Sequence, residues 1–511
     1  MKTRNKLPIG LILLLCFSLM PFSSSTAQTI IPPETKIPNF DCYRDAVSII
    51  SRMQLLAPPD SNLSELRTIG TSIEGAPIYA LEIGNEAILD KPHFILLAGL
   101  HGNDFSQPEL GLQFAETLLE GYDEDADLQW IVDNIEINLI LLANPDGRLE
   151  AETQAKDFRD VLSIGNGNGV DLENNFCNPL LYIDGCDPNK YEPETLAILT
   201  YIDGKFNTLN STLTPSESNA GLFVFFSAHD TDPNSPIQIS LPINKIRIPW
   251  FYKSNPTELS EFTEIPLKWH FELAKMLKVL NKPPININGN IEPTISGVLK
   301  AKYPVDFVFR SYGVSSLELS TYPVYSDLPV DCSTFTNYHP ENYLIALLKM
   351  AKSATKPYKI GYGPIINKLT VVETTEAEIY YHAEILDKNQ IPNMPESNPI
   401  TSVHYYIDQP TGTSSGELTG WEETNTNPYT SGLDFGIPIA GLTPGKHILT
   451  LQACSQDEFD NSKEVCGLPL SAFLIVPDPN NPDDPDPPDP PDDPDPPNPG
   501  EKKIYLPLIG R

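Results

Sequence analysis

His101-Gly102-Asn103-Asp104 places an imidazole and a carboxylate three positions apart, directly after the apolar run His93-Phe94-Ile95-Leu96-Leu97-Ala98. Across a strand-to-helix turn both side chains can reach one ion, and mixed nitrogen and oxygen donors suit Zn²⁺. A second imidazole, His229, ends Phe225-Phe226-Ser227-Ala228-His229 behind another apolar run. Two strand-end histidines and one carboxylate form a three-ligand set that leaves a fourth position for water. Taken alone, the first motif also reads as a polar loop with a helix-start aspartate, and a lone His229 as a packed polar residue. Together, His101, Asp104 and His229 are the expected metal ligands.

Such a set needs a scaffold that ends several strands at one place. The runs 93–98, 135–141 and 222–226 are apolar enough for buried central strands. Between the first two, residues 108–122 read as a helix, with Ser106 and Glu109 as a capping box and Pro108 in the first turn. This alternation, over about residues 40–358, predicts an α/β fold with a mixed sheet and helices on both faces. Ligands of such sheets gather at the carboxyl ends of the strands. From 367 to 477 the pattern changes to short strand-like runs, such as Val403-His404-Tyr405-Tyr406-Ile407, separated by turn signals. A β-sandwich of the immunoglobulin-like kind is expected there. Residues 478–500, nearly all Pro, Asp and Asn, read as an extended linker. The apolar stretch in 501–511 is too short to span a bilayer and reads as a candidate surface-retention signal.

The first 27 residues combine a basic start (Lys2, Arg4, Lys6), an apolar core and small residues up to Ala27. This is the order of a cleaved secretory signal. The remaining cysteines, Cys42, Cys177, Cys186, Cys332, Cys454 and Cys466, are even in number, which in an exported chain favours disulfides. Spacing favours Cys177 with Cys186 and Cys454 with Cys466, leaving Cys42 and Cys332 as a staple. A formal net charge of −34 over 511 residues argues against nucleic acid as a partner. The expected location is extracellular, with cell-surface association through the C-terminal segment as a variant.

Over about residues 40–358 the chain resembles the zinc carboxypeptidases. Ile69-Gly70-Thr71-Ser72-Ile73-Glu74-Gly75 looks like their opening segment, and His101 to Asp104 like their HxxE motif. Asn144-Pro145-Asp146-Gly147-Arg148 is similar to NPDG, and Gly169-Val170-Asp171-Leu172-Glu173-Asn174-Asn175-Phe176 to GVDLNRNF. Glu192-Pro193-Glu194-Thr195 is similar to SEPET. Tyr312-Gly313-Val314 to Glu318-Leu319 looks like the segment with the catalytic glutamate. The resemblance implies Zn²⁺ as cofactor, held by His101, Asp104 and His229. It also implies Glu318 as general base and Arg159 as the cation that polarises the scissile carbonyl. A bound Zn²⁺ can bring the pKa of water towards ~7. A carboxylate can then shuttle its proton, and a fixed cation can steady the oxyanion.

Three positions depart from the family. Asp104 stands in place of Glu, so the ligand arm is shorter. Glu173 and Asn174 stand where the family has the Asn-Arg pair that holds the substrate's terminal carboxylate by a charge-assisted fork. No position matches the substrate-capping tyrosine securely, Tyr303 being the nearest. The expected function is an exported zinc-dependent hydrolase of peptide or amide bonds, with a peptide or peptide-like substrate near Glu173 and Asn174. Two readings stand beside it: an amidase of altered specificity, and an inactive surface binding protein on the same fold.

Overall fold

The structure, a computed structural model, describes residues 34–157, 162–176, 190–206, 220–227, 245–247, 304–320, 331–357, 363–375, 377–386, 400–411, 416–418, 422–427, 430–456 and 464–478. Arg159, His229, Tyr303, Cys177, Cys186, the signal segment, the linker and the C-terminal stretch lie outside them.

The chain enters through a two-stranded ribbon, β1 (Lys36–Ile37) and β2 (Phe40–Arg44), and helix α1 (Ala46–Leu56). Then follow β3 (Ser64–Thr71), β4 (Pro77–Ile83), β5 (His93–Ala98), α2 (Ser106–Glu120), α3 (Ala126–Asn134), β6 (Glu136–Ile140) and α4 (Pro145–Lys156). A short 3-10 turn (Leu172–Asn175), α5 (Pro193–Phe206), β7 (Leu222–Ser227), β8 (Lys245–Arg247), α6 (Pro304–Tyr312), β9 (Ser315–Ser320) and α7 (Cys332–Ser353) complete this part. Among the described residues, seven strands form one sheet in the order β3-β4-β6-β5-β7-β9-β8. Its centre is parallel (β6, β5, β7, β9), while β3, β4 and β8 join antiparallel.

Strands β5 and β7 are almost wholly apolar because both faces are covered. Side chains alternate along a strand, so Phe94, Leu96 and Ala98 enter one core while Ile95 and Leu97 enter the other. β7 repeats this, with Leu222, Val224 and Phe226 on the first side and Phe223 and Phe225 on the second. Helices α1, α2, α3, α4 and α7 cover the first face, α5 and α6 the second. This is the expected mixed sheet with helices on both faces. Helix α2 runs close to its expected span, but no capping box forms between Ser106 and Glu109. Phe105 occupies the cap position without a side-chain bond. Glu109, 2% exposed, instead takes the Arg44 backbone N–H and pairs with its guanidinium at 2.5 Å. A buried carboxylate is better neutralised by a cation than by one local N–H.

The second part is built from strands. β10 (Ile365–Thr374), β11 (Glu378–Leu386), β12 (Ile400–Ile407), β13 (Gly416–Glu417), β14 (Glu422–Asn427), β15 (Thr430–Pro438), β16 (Gly445–Gln456), β17 (Glu464–Cys466) and β18 (Leu470–Val476) form two antiparallel sheets. One has the order β10-β11-β15-β14; the other has β13-β12-β16-β17, with β18 on the second edge of β16. Ile379, Tyr381, Ile385, Val403, Leu449 and Leu451, drawn from both sheets, share one core, as a sandwich requires. This region is welded to the first. Ile365 and Leu468 enter the first core. Asp127 of α3 pairs with Lys352 of α7, both buried, and accepts the Ser471 N–H at 3.1 Å, while Lys352 also donates to the Pro469 carbonyl at 3.0 Å.

Two of the expected disulfides fall within the described residues. Cys42–Cys332 ties β2 to the start of α7, and Cys454–Cys466 joins β16 to β17. No helix among the described residues is long and apolar enough to cross a membrane.

Candidate active site

The loop 99–105 leaves β5 at the carboxyl end of the parallel strands. Gly99 takes φ +65°, a left-handed conformation that favours glycine, and lies against the Leu141 carbonyl. A Cβ on Gly102 would collide with the Gly147 and Ser163 carbonyl oxygens, so the loop can lie flat on α4 only with glycine there. From α4, Asn144 caps its own helix through Gly147 N (2.9 Å) and donates to the Leu100 carbonyl (3.1 Å). Arg148, 2% exposed, donates to the carbonyls of Asp104 (2.9 Å) and Arg44 (2.8 Å), pairs with Glu152 (2.7 Å) and lies 4.4 Å over the Phe105 ring. A buried guanidinium with all three nitrogens engaged fixes the loop's backbone.

Other motif residues brace neighbouring loops. Asp146 accepts from Ser72 Oγ (2.7 Å) and the Glu74 N–H (3.0 Å). Glu194 accepts from the Ile73 N–H (3.0 Å) and Asn166 (3.2 Å). These carboxylates hold the 69–75 and 163–170 segments in place.

Held this way, His101 is 2% and Asp104 1% exposed. The two edges of the imidazole face different groups. Nδ1 lies 3.8 Å from Asp104 Oδ2. Nε2 lies 3.2 Å from Asp171 Oδ1 and 3.3 Å from Glu173 Oε2. Burial alone would lower the His101 pKa, but the Asp171 hydrogen bond and the Asp104 and Glu173 carboxylates outweigh it and push it up to about 9. The donor chemistry fits Zn²⁺. A nitrogen and a carboxylate oxygen 3.8 Å apart can both stand ~2.0–2.2 Å from one ion, and an imidazole that bonds a carboxylate through its other nitrogen is the usual metal-ligating arrangement.

Asp171 caps the 3-10 turn, accepting the Glu173 N–H at 3.0 Å and Asn174 Nδ2 at 2.5 Å. Asn174 is exposed; Glu173 is 2% exposed and turned to His101. Glu318 lies two strands away on β9, opposite Phe225 of β7, with its neighbours Leu317 and Leu319 in the first core. It is 2% exposed, and Ser227 Oγ donates to its Oε1 at 2.7 Å. The structure therefore joins His101, Asp104 and Glu173 in one cluster and puts Glu318 two strands away, in the second half of the parallel strand β9. His229 follows Ser227 by two residues, outside the described segment. Asp171, Arg148, Asn144 and Ser227 are supporting residues that spacing arguments passed over. Only their place in the segments Asn144 to Arg148, Gly169 to Phe176 and Phe225 to His229 hinted at them.

Residues 49–234 match the family model described as zinc carboxypeptidase. Carboxypeptidase D of Homo sapiens is 30% identical over 144 residues, 28% of this chain and 10% of that protein. Carboxypeptidase SOL1 of Arabidopsis thaliana is 30% identical over 155 residues, 30% of this chain and 29% of that protein. The match thus spans about a tenth to under a third of these relatives' length. The crystal structure of thrombin activatable fibrinolysis inhibitor aligns with a TM-score of 0.46 at 16% identity, over 61% of this chain and 75% of that one. Residues 49–234 are thus similar to the zinc carboxypeptidase family, by the family model and by these relatives.

Proposed function

We propose that the chain is an exported zinc-dependent hydrolase of peptide or amide bonds. Its catalytic domain would span 40–358, followed by a β-sandwich at 367–477, a linker at 478–500 and a surface-directed terminus. The observation that carries this reading is the two-edged environment of His101, with Asp104 on the Nδ1 edge and Asp171 on the Nε2 edge. His101 and Asp104 would hold the ion together with His229. Zn²⁺ bound there supplies a Lewis acid that acidifies water and polarises a carbonyl.

The chain's own groups do the rest. Glu318 accepts a proton from the attacking water and returns it to the leaving amine as the C–N bond breaks and a carboxylate forms. Ser227, by donating to Oε1, fixes the plane of that carboxylate. Arg159 steadies the oxyanion. Two disulfides among the described residues support an oxidising, extracellular location. A specific observation favours the amidase variant. Asn174, at the place of the family's arginine, is uncharged and bonded back to Asp171, which suits a substrate end group other than a free carboxylate.

The test is zinc content of the mature wild-type protein beside His229→Ala, with cleavage of a mixed peptide library followed by mass spectrometry. One zinc per chain, lost in the variant, with chelator-sensitive cleavage is expected. A wild-type protein that binds no zinc would overturn the reading.

A further inference from the structure

Glu173 stands where the resemblance expects a residue that faces substrate, yet its carboxylate faces the metal-ligand imidazole. Leu172 is fully buried in the second core, as is Phe176, and this anchors the 3-10 turn from below. Asp171 and Glu173 flank that anchor and both reach His101 Nε2, at 3.2 and 3.3 Å. The two carboxylates are not equivalent. The Asp171 side chain is 32% exposed and divides its oxygens among His101, the Glu173 N–H and Asn174. The Glu173 side chain is 3% exposed. Removed from water, its charge acts on the imidazole with little screening.

Building on the proposed zinc site, we propose that Glu173 is a positioning residue for His101. It shares the Nε2 edge with Asp171, fixes which edge of the ring is left for the ion, and raises the basicity of the ligating nitrogen. Carboxylates behind a ligating histidine orient the ring and strengthen its donor character. Two such carboxylates beside Asp104 repel one another, and a bound dication relieves that repulsion. This gives the glutamate a reason to be at position 173 that does not depend on the substrate.

The experiment measures Zn²⁺ affinity of the full-length mature protein by chelator competition, with the visible absorption of the Co²⁺-loaded protein as a second readout. Glu173→Gln keeps the size and removes the charge. It is expected to weaken Zn²⁺ binding ~10–100-fold and to shift the Co²⁺ bands. Asp171→Asn should lower affinity in the same direction. Glu173→Asp, which retains the charge but draws it back, should fall between wild type and Glu173→Gln; it also serves if Glu173→Gln does not fold, as judged by circular dichroism. Wild-type affinity and an unchanged Co²⁺ spectrum in a folded position-173 variant, with only KM for peptides altered, would overturn the proposal and return Glu173 to the substrate side. That result leaves the zinc enzyme intact. Absence of zinc from the wild type removes both readings together.

Discussion

His93 and His101 stand at the two ends of the same strand, one opening β5 and the other just beyond it, and their surroundings drive them in opposite directions. At His93, burial together with the Lys205 and Lys91 charges pushes the pKa down to about 3. At His101, burial acts in the same sense but the carboxylates win, and the pKa rises to about 9. The carboxylates near His93 are matched by cations from the chain. Glu82 meets Arg67 Nε (3.0 Å) and Lys205 (3.1 Å) and accepts from Tyr201 (2.7 Å), while Glu136 meets Lys91 (3.5 Å). At the other end Asp104, Asp171 and Glu173 converge on one imidazole. At one end of the sheet the carboxylates meet lysine and arginine side chains; at the other they gather around an imidazole. Burial is common to both, and the sign of the surrounding charge is what tells the two histidines apart.

Three measurements would break or sharpen this contrast. The largest effect is expected from Glu318→Gln, which should lower kcat ~10²–10⁴-fold with zinc content unchanged. His93→Gln should leave kcat at the wild-type level. A comparable loss in His93→Gln would erase the distinction between the two ends.

Next is the internally matched pair Asp127 and Lys352. Asp127→Ala strands a buried lysine and should cost ~3–5 kcal/mol in urea unfolding, while replacing both by leucine should cost far less. An equal cost for the single and double changes would show that the pair is not what holds that seam.

The most gradual effects, spread over several pH units, are in pH dependence. A depressed histidine pKa favours the folded state above the unfolded value of ~6.5, so the His93 contribution is lost as pH falls from there towards about 3, at roughly 1.4 kcal/mol per pH unit. A raised one does the reverse. In chelator-treated protein the His101 contribution is full below ~6.5 and is lost as pH rises through about 9. The stability difference between metal-free wild type and His93→Gln, read from melting curves, should therefore change with pH on the acid side and stay constant on the alkaline side.

Much of this was legible in the sequence, for local reasons. Strands covered on both faces leave unbroken apolar runs, so 93–98 and 222–226 announced themselves. Ligands three residues apart across one turn, such as His101 and Asp104, are visible in a single motif. The rest depends on separations that no window contains. Ser227 meets Glu318 across 91 residues, Lys352 meets Asp127 across 225, and Ser471 meets Asp127 across 344. The capping box was misread because Glu109 is claimed by Arg44, 65 residues earlier. Glu173 was hidden differently. A carboxylate beside a buried leucine reads the same whether it turns outward to a substrate or inward to His101, and only the 3-10 turn decides.

The Cys42–Cys332 bond closes a loop across 290 positions, joining the strand that precedes the sheet to the helix that follows it. A chain made from its N-terminus must therefore carry Cys42 without this partner until all seven described strands of the sheet have been synthesised. Once the bond has formed, the region is a ring. A protease that cuts any loop inside that ring opens it without dividing the molecule, and the two pieces stay joined covalently as well as through the sheet. The bond thus turns a severing cut into a local one.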